Sequence, residues 1–111
     1  MAKVFKFDAN TLVTLKADNV DDGAGIFVDN VKVTHVDFGK SGSHVVKVTP
    51  QKGVQVRFEL WNQTGGAFHG LFRISGKVNG RNTEVYYYAP MGQSPPMTAV
   101  AWQEAFILQV L

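Results

Sequence analysis

At 111 residues the chain is long enough for one domain with its own core and too short for two of ordinary size. Its basic residues are scattered singly and its net charge is only +2, so no stripe forms that could follow phosphates and no nucleic-acid partner is expected. There is no cysteine, hence no disulfide framework and no thiol chemistry, and no apolar run nears the roughly 20 residues that span a bilayer.

Met1 to Phe7 alternates polar and apolar residues and lacks a continuous hydrophobic stretch, so it reads as a strand and not as a signal peptide. A soluble protein without membrane insertion is expected, its compartment open. Leu12 to Lys16 forms a second strand. An acidic, glycine-softened loop is expected from Asp18 to Gly25, with Gly23 and Gly25 giving the backbone conformations barred to other residues. Ile26-Phe27-Val28, the turn Asp29-Asn30 and the return strand from Val31 to Phe38 then make a tight hairpin.

After a Gly/Ser loop at Gly39 to Ser43, His44 to Thr49 is a strand and Pro50 to Gly53 turns the chain. Val54 to Asn62 alternates strictly, with Val54, Val56, Phe58 and Leu60 on one face and Gln55, Arg57, Glu59 and Trp61 on the other. A loop over 63–66 precedes a strand from Ala67 to Gly76. Asn79-Gly80 is a strong hairpin signal leading to Thr83–Tyr88, and the proline-bearing stretch Ala89 to Pro96 is expected to be a loop that proline keeps out of any sheet interior. The last segment is read as a closing strand, with room for a short turn near Gln103–Ala105. Eight to ten short strands separated by turns point to a single all-β domain over 1–111, an antiparallel sandwich of jelly-roll type.

The motifs Asp21-Asp22-Gly23, Ile26-Phe27-Val28-Asp29-Asn30, Gly42-Ser43-His44-Val45-Val46 and the strand ending Trp61-Asn62-Gln63-Thr64-Gly65-Gly66 resemble two groups. One is the protective-antigen-type domain of yeast adhesins and bacterial glycosidases; the other is the galactose-binding-like jelly roll of carbohydrate-binding modules. The likeness covers about Asp18 to Ile74 and departs at Val31, where those groups place glycine. It implies that Asp21 and Asp22 hold Ca²⁺ and help to ligate sugar hydroxyls, which suits an ion that takes 6–8 oxygen ligands. The alternative is a solvated turn, since Asp and Gly are common turn formers.

Aromatic residues add a separate argument. Trp61, on the polar side of its strand and beside Asn62, could stack on a sugar ring while Asn62 and His69 bond its hydroxyls. Alternatively, Trp61 and Trp102 cover a sandwich face or a subunit contact. Tyr86-Tyr87-Tyr88 must point to both faces of a strand, which suits a core or an interface and favours a homo-oligomer. His35, His44 and His69 lie apart, the serines lack a nucleophile-elbow motif, and Glu59, Glu84 and Glu104 are dispersed, so an enzyme is not expected. The sequence reading is therefore a non-catalytic carbohydrate-binding module or small lectin, Ca²⁺-assisted, with Asp21, Asp22, Trp61, Asn62 and His69 at its site. The alternative is a structural or interaction subunit of a virion, appendage or toxin assembly.

Overall fold

The computed structural model describes residues 3–62, 66–93 and 98–111. The described residues form strands without a helix: β1 (Lys3–Phe7), β2 (Leu12–Asp21), β3 (Gly23–Val28), β4 (Val31–Asp37), β5 (Gly42–Lys47), β6 (Val54–Asn62), β7 (Phe68–Val78), β8 (Arg81–Tyr88), β9 (Met91–Gly92) and β10 (Thr98–Val110). They pack as two sheets. The first runs β1-β10-β6-β3-β4; the second runs β5-β2-β7-β8, with β9 also on β7. The β-sandwich expected from the strand pattern is thus the fold. Pairing is antiparallel throughout except between β1 and β10.

The alternation of β6 places Val56, Phe58 and Leu60 in the core, where all three are buried. Phe7, Phe72 and Phe106 join them from both sheets. Ring centroids of Phe58 and Phe72 lie 5.0 Å apart across the sandwich, and Phe106 meets Phe58 edge-on at 5.6 Å. Such tilted and edge-to-face contacts suit the quadrupole of each ring, and they add to the area that the rings bury.

Both tight hairpins occur where the sequence indicates. Asp29 and Asn30 have φ of 48° and 67°, and Asn79 and Gly80 have 52° and 78°. Positive φ at both central residues is what the two-residue hairpin needs. Asn30 takes the left-handed conformation itself, as asparagine can, so Val31 need not be glycine.

Three expectations are corrected. The stretch from Asp18 to Gly25 is not a loop: β2 runs to Asp21 and β3 starts at Gly23, leaving Asp22 alone between them. Ala17, Val20, Ala24 and Ile26 are buried at this junction, and burying them keeps the backbone extended through the acidic residues. A register shift between Asp18 and Asp21, with Asn19 at φ 47°, absorbs the irregularity. No turn interrupts β10 at Gln103–Ala105, because all three residues stay in register with β6. Met91-Gly92, expected within a loop, pairs with Phe68 and His69 as a two-residue strand beside β7 and outside the sheet interior. The loops read at 63–66 and 89–96 fall partly on 63–65 and 94–97, outside the described residues.

One carboxylate ties the end of β1 to the second hairpin. Asp8 accepts hydrogen bonds from the backbone N–H of Asn79 (2.8 Å) and Gly80 (2.7 Å), while its own N–H donates to the Lys77 carbonyl (2.9 Å). Bonds to an ionised acceptor contribute about 1.5–3 kcal/mol. Asp8→Ala should therefore lower the urea unfolding free energy by about 1–3 kcal/mol, with Asp8→Asn recovering part of it. A loss below about 0.5 kcal/mol, the scale of an ordinary surface change, would show that the hairpin holds itself.

Candidate functional site

β2 is flanked by β5 and β7 in one sheet, and β3 by β4 and β6 in the other. The chain therefore crosses between inner strands of both sheets through Asp22. The Asp21–Asp22 peptide is cis, and the Asp22 N–H donates to the Trp61 carbonyl at 3.0 Å. With the apolar neighbours turned inward, the Asp21 side chain is left at the rim, only 23% exposed, paired in register with His69 of β7.

Two carboxyl groups thus meet at this rim. Burial raises the pKa of Asp21, as do a hydrogen bond shared with Asp22 and the Asp22 charge; His69 acts in the opposite direction. The compensation from His69 is loose, since its Nε2 stands 3.8 Å from Asp21 Oδ2. Close carboxylates favour a proton or a cation between them.

Trp61 follows Leu60 on β6 and so emerges on the outer face of the first sheet. It is half-buried rather than freely exposed, because its indole lies on β3. A Cβ on Gly25 would come within 2.8 Å of Trp61 Cζ2 and 2.9 Å of Phe27 Cε1, and one on Gly23 within 3.1 Å of Trp61 Cε3. Neither glycine has positive φ. Their role is to leave room for the ring, in place of the backbone freedom expected from the sequence.

Around the indole the outer face carries a connected polar row. Trp61 Nε1–H donates to Glu59 Oε1 (3.0 Å), and Glu59 Oε2 accepts from Arg57 Nε–H (2.8 Å). The guanidinium lies 4.1 Å from the Phe27 ring centre and donates to Asn30 Oδ1 at 2.9 Å. On the other side His35 is 4.9 Å from the indole, Lys32 Nζ is 5.4 Å from it, and His35 Nε2 lies 3.2 Å from Asp37.

The five residues singled out in the sequence therefore gather at one end of the sandwich but divide by direction. Asp21 pairs with His69 on the outer side of the second sheet, and Asp22 sits between the sheets. Trp61 lies over Gly23, next in sequence to Asp22, on the outer side of the first sheet. Asn62 turns inward and is fully buried. Its Nδ2 donates to the Gly66 carbonyl at 2.9 Å, while its Oδ1 has no hydrogen-bond partner among the described residues. A direct stacking-plus-hydrogen-bonding trio of Trp61, Asn62 and His69 on one surface is not what the strands build.

Sequence reasoning missed Glu59 and Glu104. Glu59 could have been found from its two-residue spacing from Trp61, which puts both on one face of β6. Glu104 shares the inward register of β10 with Trp102, Phe106 and Leu108, a signal obscured by allowing a turn there. Among the described residues no group of three or more His, Asp or Glu side chains could hold a metal ion, and no helix is long and apolar enough to cross a membrane. Compared with known proteins, the chain matches no family model, no curated protein and no solved structure.

The fit between indole and glycine floor can be tested directly. Gly25→Ala should cost about 1–3 kcal/mol, the usual range for overpacking, in chemical denaturation. In a Trp61→Phe background, with a smaller ring above β3, the same change should cost clearly less, a coupling expected only for groups in contact. Equal costs in both backgrounds would show that Gly25 serves another purpose.

Proposed function

We propose that the protein is a non-catalytic carbohydrate-binding module that holds its ligand, with the help of Ca²⁺, at the crossing between the sheets. The observation carrying this reading is the pair of touching carboxyl groups, Asp21 and Asp22, at a rim where His69 stands 3.8 Å from Asp21. Asn62, on the strand that bonds Asp22, adds an amide oxygen that has no hydrogen-bond partner among the described residues. Carboxylates together with amide and carbonyl oxygens are the ligands that Ca²⁺ prefers, and an ion bound this way can be completed by vicinal sugar hydroxyls. The indole of Trp61 over Gly23 offers a nearby apolar surface. The likeness to adhesin-type and galactose-binding-like domains, carried by sequence motifs, agrees with this reading.

Calcium should raise the melting temperature, contributing about 2.7 kcal/mol at a hundredfold excess over its dissociation constant. Asp22→Ala should abolish that shift and the Ca²⁺-dependent part of binding on a glycan array. Asp21→Asn separates the reading from a general loss of structure. A raised folded-state pKa means that Asp21 favours folding while protonated and loses that contribution as pH rises through the raised value. In chelator at pH 7 the Asn variant should therefore melt above wild type while showing no response to Ca²⁺. Identical wild-type melting in Ca²⁺ and in chelator would remove the ion from this account.

A second reading, an interaction subunit of a larger assembly, is favoured by one observation. Tyr87, Tyr88 and Met91 are 59%, 48% and 76% exposed, and β8 and β9 line the same side of β7. Aromatic residues and methionine are enriched in interface cores. A homo-oligomer would also serve the lectin reading, because weak sites gain avidity when linked. Light scattering at micromolar concentration should give a mass above the 12.2 kDa of one chain. A monomer mass would rule out self-association through this edge.

A further inference from the structure

The two sheets meet differently along their two sides. At β4 and β5 the edges touch: Thr34 Oγ1 donates to the Ser43 carbonyl at 3.3 Å, and a Cβ on Gly42 would lie 2.8 Å from Val36 Cγ2. At the opposite side, among the described residues, β8 pairs only with β7, and β1 only with β10. Side chains bridge this opening, and they leave a cleft of about 750 Å³ beside it.

The inward registers of β8 and β10 supply its walls. Tyr86 and Tyr88 come from one sheet, and Trp102 and Glu104 from the other, with Lys3 and Gln103 at the rim. The rings of Tyr88 and Trp102 stand 5.7 Å apart at 39°, and Trp102 is held from behind by Phe72 at 4.9 Å. Glu104 accepts from the Tyr86 hydroxyl (2.7 Å, Oε2) and from Lys3 Nζ (2.9 Å, Oε1). Burial opposes ionisation of Glu104, but the bonds from Tyr86 and Lys3 and the Lys3 charge outweigh it and hold its pKa below the usual value. Burial, and then Glu104, push the Tyr86 phenol well up. The proton therefore stays on Tyr86, and Glu104 remains an acceptor.

We propose that this cleft is a second binding site, independent of any ion, for a neutral polyhydroxylated ring such as one residue of an oligosaccharide. It rests on the carbohydrate reading for its ligand class and not on the crossing. Three observations converge. Tyr88, which is 48% exposed, and Trp102 line an opening of a size typical of small-molecule sites, roughly 300–1,000 Å³. Each carboxylate oxygen of Glu104 has one donor and keeps acceptor capacity for a hydroxyl, while Lys3 retains further N–H donors. Lys3 and Glu104 neutralise each other, so a charged ligand gains nothing from the local field.

The test uses the full chain on an array of neutral and acidic oligosaccharides in EDTA, followed by titration with the soluble form of the strongest neutral hit. Wild type should bind neutral glycans without the ion. Tyr88→Ala, at a position 48% exposed, and the isosteric Glu104→Gln should each weaken that binding by roughly tenfold or more, with melting curves confirming that both are folded. In a nitrogen–proton spectrum the Trp102 indole N–H should shift on titration while that of Trp61 stays in place. No binding in EDTA, binding of acidic glycans only, or wild-type affinity in both variants would each overturn the proposal. Glycan binding that appears only with Ca²⁺ would defeat this site and leave the crossing intact. EDTA-resistant binding that is lost in Tyr88→Ala, with no response to Ca²⁺, would support the cleft and defeat the ion at the crossing. An array blank in both conditions would defeat both.

Discussion

The fold depends on a connection one residue long. β2 lies inside one sheet and β3 inside the other, with Asp22 alone between them. Packed sheets stand about 10 Å apart, yet the two Cα–Cα steps from Asp21 to Gly23 span at most about 7 Å. The two strands must therefore converge at this end of the sandwich. Convergence is possible because their inward residues at the crossing are small or branched, namely Ala17, Val20 and Ala24, all fully buried. Anything polar in the same stretch is driven to the rim, which is where Asp21 stands with His69. The acidic pair is thus placed by the same requirement that joins the sheets.

Convergence at one end leaves the sides to be closed by other means. On the β4–β5 side the missing side chain of Gly42 lets the edges touch. On the β1–β8 side the closing contacts are aromatic, with Tyr86 4.5 Å from Phe106 and 6.0 Å from Phe5, together with its bond to Glu104. Bulky rings cannot close an edge as flush as backbone can. The cleft is the space they leave, and the charge at its base is kept tolerable by a phenol and an ammonium.

Much of this was legible in the sequence, and the remainder was hidden for identifiable reasons. Strict alternation in Val54–Asn62 fixes which residues of β6 enter the core, and Asp29-Asn30 and Asn79-Gly80 announce their turns because few residue pairs accept positive φ twice. The crossing was misread because Asp and Gly are common in loops, whereas here burial of Ala17, Val20 and Ala24 keeps the strand going. Gly23 and Gly25 were assigned backbone freedom, but their partner is Trp61, 36 residues or more away in the chain, and no local pattern reveals a ring lying across the neighbouring strand. Asn62 was read as a surface ligand although its place in the alternation, in line with Phe58 and Leu60, already pointed inward.

Charge balance gives the two candidate sites different chemistry. At the crossing, two carboxyl groups touch, and His69 stands 3.8 Å from the Asp21 carboxylate. A neutral sugar alone could donate its hydroxyl protons there but could not relieve the repulsion between the carboxylates; a cation does. In the cleft, the carboxylate already has a full counter-charge at 2.9 Å, and both donors and acceptors remain available. A divalent ion would have to displace Lys3 and would then find one carboxylate, far from the six or more oxygens it requires. The two proposed contacts, one ion-assisted at the end of the sandwich and one ion-free on its side, thus make different demands on a ligand. The polar groups that distinguish them, Asp21 with Asp22 and Glu104 with Lys3, lie on different strands and take different partners.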